Sequence, residues 1–257
     1  LNKTSSSLST SMARLSSGER ITAAKDNAAG LAISEKMKAQ IRGLGQAERN
    51  ANDGISLVQT AEGAMDEISC MLIRMRELAV QSANGTTDSA QKGFLNNEFS
   101  QLSDEITRIA NSTDFNGTNL TNGAASVTLQ VGSTNGSESQ ISVELSNVTA
   151  GTSGLNVDAA TIATASGATA AMATIDTAIT TLSEQRGKLG AVQNRLSSTV
   201  RNLATTRENL SASNSRIRDV DVASESVNMT RSQILMQAGT AVMAQANQVP
   251  SMALSLI

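Results

Sequence analysis

Few residues in this chain could do covalent or acid–base chemistry. There is no His and a single Cys, Cys70, so neither an imidazole base nor a Cys–His nucleophile pair can be assembled. The His-Glu-x-x-His zinc motif, an internal disulfide framework and a thiolate metal cluster are excluded on the same ground. Two pairs of adjacent carboxylates occur, Asp66–Glu67 and Asp104–Glu105. Neighbours on a helix point about 100° apart, so these read as solvated or Arg-paired groups rather than an acid–base couple. Cys70, beside Ile68 and Leu72 but off their track, reads as a structural thiol. No catalytic residue, cofactor site or metal site is expected, and the reading is of a protein that is not an enzyme. What remains is binding chemistry. Arg74, Leu78 and Gln81 step by four and three and so share one stripe of a helix, rotated off the neighbouring apolar seam.

The composition says what must position them. In 257 residues there is no Trp, no Tyr, three Phe and one Pro. Aromatic side chains supply the largest buried areas in ordinary cores. This core must therefore be built from Leu, Ile, Val, Met and Ala, which suits long helices packed side by side. With 20 basic against 23 acidic residues and a net charge of −3, the basic footprint of a nucleic-acid binder is missing. No apolar run approaches the roughly 20 residues needed to cross a bilayer, so no membrane insertion is expected. Every Lys and Arg lies within 1–110 or 186–257. The stretch between, rich in Gly, Asn, Ser and Thr, favours turns and edges.

Ala51, Ile55, Val58, Ala61, Met65, Ile68, Leu72, Met75 and Ala79 recur with a period near 3.5, the seam of a coiled coil. With Leu31, Met37, Ile41 and Leu44 upstream, the spacing predicts one helix from Ala28 to Ala83. At about 80 Å it needs partners along most of its length. Leu95, Phe99, Leu102, Ile106 and Ile109 predict a shorter amphipathic helix over 92–110, entered through a turn and N-cap at 84–88. Ile175 to Leu210 carry a second long seam, with Arg186 and Arg207 on seam positions that demand acidic partners. Val127, Leu129 and Val131 alternate with polar residues, as do Ile141, Val143 and Leu145, which predicts a β-hairpin. Asp114-Phe115-Asn116-Gly117 reads as a tight turn. Residues 146–172 show no decisive period and read as loop plus the start of a helix. Lys25-Asp26-Asn27 reads as a connector with capping roles. The fold class is thus mainly α: a long antiparallel, coiled-coil-like bundle with one β-hairpin insertion.

The ends differ. Leu8, Met12 and Leu15 near the start, and Ile234, Leu235, Val242, Met243 and Val249 near the finish, form apolar stripes that this bundle cannot cover. Small residues such as Ala238, Gly239 and Ala241 alternate with them. Such stripes call for a partner, and both ends are expected to be disordered in a monomer and to fold in an assembly.

These features come with a family likeness. Ser16-Ser17-Gly18-Glu19-Arg20-Ile21, Lys25-Asp26-Asn27-Ala28-Ala29-Gly30 and Asp53-Gly54-Ile55-Ser56-Leu57-Val58-Gln59-Thr60-Ala61-Glu62 resemble the N-terminal signature of bacterial flagellin. Leu189-Gly190-Ala191-Val192-Gln193-Asn194-Arg195-Leu196, Ser215-Arg216-Ile217-Arg218-Asp219-Val220 and Gln237-Ala238-Gly239 resemble its C-terminal half. The resemblance covers about residues 1–120 and 175–257. It implies a short form without large outer domains, secreted and located in the extracellular flagellum. Residues 1–29 and 217–257 would be connector and inner-tube helices, the terminal helices pairing with each other in the assembly. Residues 30–216 would be the bundle core, including a variable insertion at 111–172. Against the family pattern the sequence begins late, at Leu1, so the family's export signal falls outside it.

The implied function is a structural subunit that polymerises into the flagellar filament for swimming, exported unfolded, with ends that fold on assembly. The implied partners are other copies in a helical homopolymer, the flagellar export chaperone, the filament cap and the hook-junction proteins. By the same resemblance Arg74, Leu78 and Gln81, with Glu98 on the next helix, match the segment that the flagellin-sensing host Toll-like receptor recognises. Leu8, Met12, Leu15, Ile234, Leu235, Val242, Met243 and Val249 would face neighbouring copies or the chaperone. Exposed Ser and Thr within 126–170 would be candidate glycan positions, whereas the Asn-x-Ser/Thr triplets at Asn84, Asn111, Asn116, Asn119, Asn135 and Asn147 reflect composition. The rival readings are a hook–filament junction protein, and a cell-surface adhesin or ligand-binding homologue.

Overall fold

The computed structural model describes residues 2–123 and 126–254, from 247 onward as backbone alone. The described chain runs α1 (Asn2–Ser17), α2 (Ala28–Ala83), α3 (Ser89–Ser112), β1 (Asp114–Phe115), β2 (Thr118–Asn119), β3 (Ser126–Gln130), β4 (Gln140–Glu144), α4 (Ala165–Arg218) and α5 (Val222–Leu254). It divides into two compact units, one of residues 43–205 and one of 1–42 with 206–257.

In the 43–205 unit, α2 supplies Val58, Met65, Ile68, Leu72 and Met75 to the core. Phe99 and Ile106 join them from α3, and Ile175, Leu182 and Leu189 from α4, all buried. These are the seam residues, and α2 has the bounds that the period and the Asn27 cap predict. Asp88 caps α3 as part of a capping box: its carboxylate accepts from Gln91 N at 2.7 Å, and the Gln91 side chain accepts from Asp88 N at 3.2 Å. That box starts α3 three residues ahead of the expected 92. The seam arginine Arg186 reaches Asp66 at 3.0 Å, with Glu62 at 3.9 Å. Arg108 pairs with Glu105 at 2.6 Å. One carboxylate of each adjacent pair is thus bound to Arg.

The hairpin forms in the register set by its alternation, with Val127 opposite Val143 and Leu129 opposite Ile141. It lies on the helices: Val131 and Ile141 pack with Ala51 and Leu196, and Asn50 Nδ2 donates to the Gln130 carbonyl at 2.9 Å. Gly54 makes room for it, because a Cβ there would stand 2.2 Å from Leu129 Cδ1. A second, two-residue ladder pairs β1 with β2 where the sequence predicted only a turn. Its tip holds Asn116 and Gly117 at φ +51° and +78°, the left-handed pair of a type I′ turn. The aperiodic segment before α4 is mostly loop, yet it buries Leu145, Val148, Leu155, Val157 and Ile162. Asn96 on α3 pins it by accepting from the Thr161 hydroxyl and Ile162 N, both at 2.9 Å.

In the 1–42/206–257 unit, α1 packs on α5. The terminal stretches expected to order in an assembly are helical over Asn2–Ser17 and Val222–Leu254, and much of their apolar surface stays exposed. The connectors beside them are stitched together. Arg20 N donates to the Arg218 carbonyl at 2.6 Å and Val220 N to that of Gly18 at 3.0 Å, while Arg20 Nη2 reaches the Ile217 carbonyl at 2.7 Å. The Arg218 guanidinium closes the clasp on Glu19, at 2.8 Å, and on Glu35 of α2. The Lys25–Asn27 stretch caps as read: the Asp26 carboxylate accepts from Thr22 and Ala23, and the Asn27 side chain from Gly30 N at 2.8 Å.

Acid should open the clasp. The hydrogen bond from Arg218 holds the Glu35 carboxyl below the usual carboxylate range. Its contribution is therefore present at neutral pH and is lost as pH falls through that lowered value. Protection factors at residues 18–22 and 217–221, which remove the intrinsic pH dependence of amide exchange, are expected to fall as pH drops through that lowered value, and Glu35→Gln should lower them already at neutral pH. Protection that is indifferent to both changes would contradict the clasp.

Candidate functional site

Two surfaces gather the residues singled out above. The first is the terminal helix pair, and its burial is inverted. Between α1 and α5 the polar Ser11 and Glu225 are buried, and Arg14 faces Glu225 across the contact. Meanwhile Met12, Val227, Ile234, Leu235, Val242 and Met243 lie 54–67% exposed. Leu8 and Leu15 are half-buried. The side chain of Val249 lies outside the described residues. On α5 the exposed apolar residues recur at seven-residue steps, Val227 to Ile234 and Leu235 to Val242, so they form long stripes on the helix surface. Val227 and Val222, also exposed, were not singled out from sequence, although the seven-residue step from Ile234 marks Val227.

The second surface lies across α2 and α3. The Arg74 guanidinium donates through Nε and Nη2 to one oxygen of Glu98, at 2.9 and 2.8 Å, and through Nη1 to Glu77 at 3.0 Å. These acceptors hold Arg74 firmly charged. On the other flank of α2, Arg76 pairs with Asp176 of α4 at 2.6 Å. Exposed Ile73 and Val80 sit between these ion pairs, with Gln81 exposed beside them. Leu78 is not part of this face. It is 1% exposed, a core residue, because α2 packs against α3 and α4 at once and its buried arc is wider than the 3.5-residue seam. Cys70 lies off the seam and is exposed. Among the described residues, no cluster of three or more carboxylate or thiol side chains could hold a metal ion, and no helix is long and apolar enough to cross a membrane.

The chain matches the family described as the bacterial flagellin N-terminal helical region over residues 1–126, and that described as the bacterial flagellin C-terminal helical region over 172–257. A flagellin of Halalkalibacterium halodurans is 50% identical over 247 residues, covering 96% of this chain and 90% of that one. A flagellin of Bacillus subtilis is 44% identical over 293 residues, covering 100% and 96%. The crystal structure of Bacillus cereus flagellin superposes with a TM-score of 0.53 at 29% identity, over 60% of this chain and 88% of that one. The matched regions are the two helical arms, and the hairpin insertion lies between them. The chain belongs to the bacterial flagellin family, structural subunits of the flagellar filament rather than enzymes.

Proposed function

We propose that the chain polymerises with copies of itself into the extracellular filament that drives swimming. In this reading residues 1–29 and 217–257 form the inner tube and connector, and 30–216 the bundle core. The observation that carries it is the inverted burial of the terminal helices, polar residues inward and apolar stripes outward. A helix pair that ends its life in water would be patterned the other way round. Fully burying a Leu, Ile or Val contributes about 1.5–3 kcal/mol, so covering several half-exposed ones on each subunit drives association. A contact that is heterologous and does not close on itself continues as a helical array of subunits. Export of the unfolded chain, and capture of the Ile234–Met243 stretch by the export chaperone, belong to the same reading. The cap and hook-junction proteins would bind the same stripes at the filament's ends. Identity to flagellins along nearly their whole length favours this over a junction protein or an adhesin. Seeded growth followed by electron microscopy tests it.

A second surface function rests on Arg74, Glu98 and Gln81: recognition by the flagellin-sensing Toll-like receptor. The exposed Arg74–Glu98–Glu77 cluster supports it, since a charged centre beside the apolar Ile73 and Val80 has the make-up of an interface hot spot. Arg74→Ala and Glu98→Ala are each expected to weaken signalling in receptor-bearing reporter cells by roughly tenfold or more. Signalling equal to that of the unsubstituted chain would refute this role. Leu78→Ala is no test of contact, because it opens a cavity in the core.

A further inference from the structure

The α1–α5 contact leaves a cleft of about 370 Å³, and its lining has a definite chemistry. Ser7, Ser11 and Arg14 step by four and three along α1, so all three share the stripe that faces α5. Asn228 and Ser232 look back from α5, with Arg231 beside them.

Arg14 is under-satisfied there. Its side chain is only 28% exposed, and its Nε is buried without a hydrogen-bond partner. The facing carboxylate, Glu225, approaches no nearer than 3.9 Å to Nη1, beyond hydrogen-bond range. A buried N–H left unpaired costs about 1–3 kcal/mol, which favours a turn of the guanidinium toward an acceptor in the cleft. Arg14 and Arg231 outweigh the one carboxylate among the lining residues. The hydroxyls of Ser7 and Thr10 donate back to the carbonyls of their own helix, so they offer lone pairs only. The donors that can turn to a ligand are therefore the two guanidiniums, with the hydroxyls of Ser6, Ser11 and Ser232 and the amide of Asn228. Donors on two facing helices, with net positive charge and a polar wall, suit a compact anion with several acceptor oxygens.

We propose that this cleft binds a tetrahedral oxyanion, phosphate or sulfate, held between Arg14 of α1 and Arg231 of α5. Each Arg donates to different oxygens of one ion, so the ion cross-links the two terminal helices. Binding the paired ends but not the separated ones, it shifts the ends toward the paired state in proportion to its saturation. The proposal does not rest on polymerisation and is tested without it.

The full chain is kept dilute and monomeric and titrated with sodium phosphate and, separately, sodium sulfate, with sodium chloride holding ionic strength constant. Amide chemical shifts of residues 7–14 and 225–232 are followed, and the trypsin lifetime of the two ends is measured alongside. Saturable shifts with both oxyanions and longer-lived ends are expected. Arg231→Gln, at an exposed position that leaves the helix intact, should weaken binding about tenfold, and Arg14→Gln at least as much. Shifts that stay linear in salt, that chloride reproduces, or that persist unchanged in Arg231→Gln would overturn the site. None of these outcomes bears on filament growth, so the two readings fail separately.

Discussion

A chain carrying Ile234→Asp and Leu235→Asp is expected to remain monomeric under conditions in which the unsubstituted chain forms filaments. Both side chains are more than half exposed on α5, and neither supports the fold of the chain alone. The exchange removes two apolar anchors and sets two carboxylates where a neighbouring copy would exclude water. Burying the exposed half of each side chain is worth about 1–2 kcal/mol, which is forfeited, and a carboxylate desolvated without a partner adds several more. Because a filament repeats each contact along its length, a penalty of that size moves the critical concentration by orders of magnitude. Thermal unfolding of the 43–205 unit should be unchanged, which separates lost assembly from lost folding. Light scattering with sedimentation reads the first and circular dichroism the second. Filaments forming at the usual concentration would contradict the assembly role of the α5 stripe.

The largest effect on stability is expected from Phe99→Ala. Phe99 is 1% exposed and is the one aromatic ring among the largest fully buried side chains. It projects from α3 into a core of Leu, Ile, Val, Ala and Met side chains, with Phe115 packed at its edge. Truncating a buried Phe typically costs about 3–5 kcal/mol, as lost transfer energy plus the cavity left behind. For a domain of ordinary marginal stability that is a large share of the total. The melting temperature of the 43–205 unit should fall by roughly 10 °C or more. Ile106→Val, one methylene smaller at a neighbouring buried site, should cost only about 0.5–1.5 kcal/mol. Calorimetry of the full chain reads both. A Phe99→Ala shift no larger than that of Ile106→Val would mean that the core collapses around the gap and that Phe99 does not hold α3 in place.

Much of this fold is legible in residue spacing. The bounds of α2 follow from a 3.5-residue period over Ala51–Ala79, apolar residues upstream at Leu31, Met37, Ile41 and Leu44, an Asn cap before it and a Gly turn after it. The hairpin follows from two alternating runs whose period-2 pattern fixes register. What the period does not encode is how many neighbours a helix has. Leu78 lies beside the seam rather than on it, and it becomes core only because α2 packs on α3 and α4 together. The loop before α4 escaped for a related reason. Its burial is imposed by distant side chains such as Asn96, with no local repeat to announce it. The Arg218 clasp joins residues more than 180 positions apart, and no local pattern marks Glu35 as its partner.

The terminal helices show the same limit from the other side. Their apolar residues were visible in sequence, and so was the lack of anything in the bundle to cover them. Their pairing as helices followed from the family resemblance alone, and the residues that carry it, Ser11, Arg14 and Glu225, are types that residue patterning assigns to solvent. For the candidate surfaces, the sequence located Arg74, Gln81 and Glu98 on exposed helix faces. It missed that Arg74 and Glu98 bind each other, since the turn that folds α3 back along α2 sets that distance.

The most direct test of the central claim is electron microscopy of the purified chain after short filament fragments are added as seeds. The account predicts long tubes growing from the seeds, with trypsin-sensitive ends in the free chain becoming resistant once incorporated. A chain that stays monomeric beside the seeds, with its apolar ends already protected, would show those stripes to be covered within one copy. That result would contradict the filament reading.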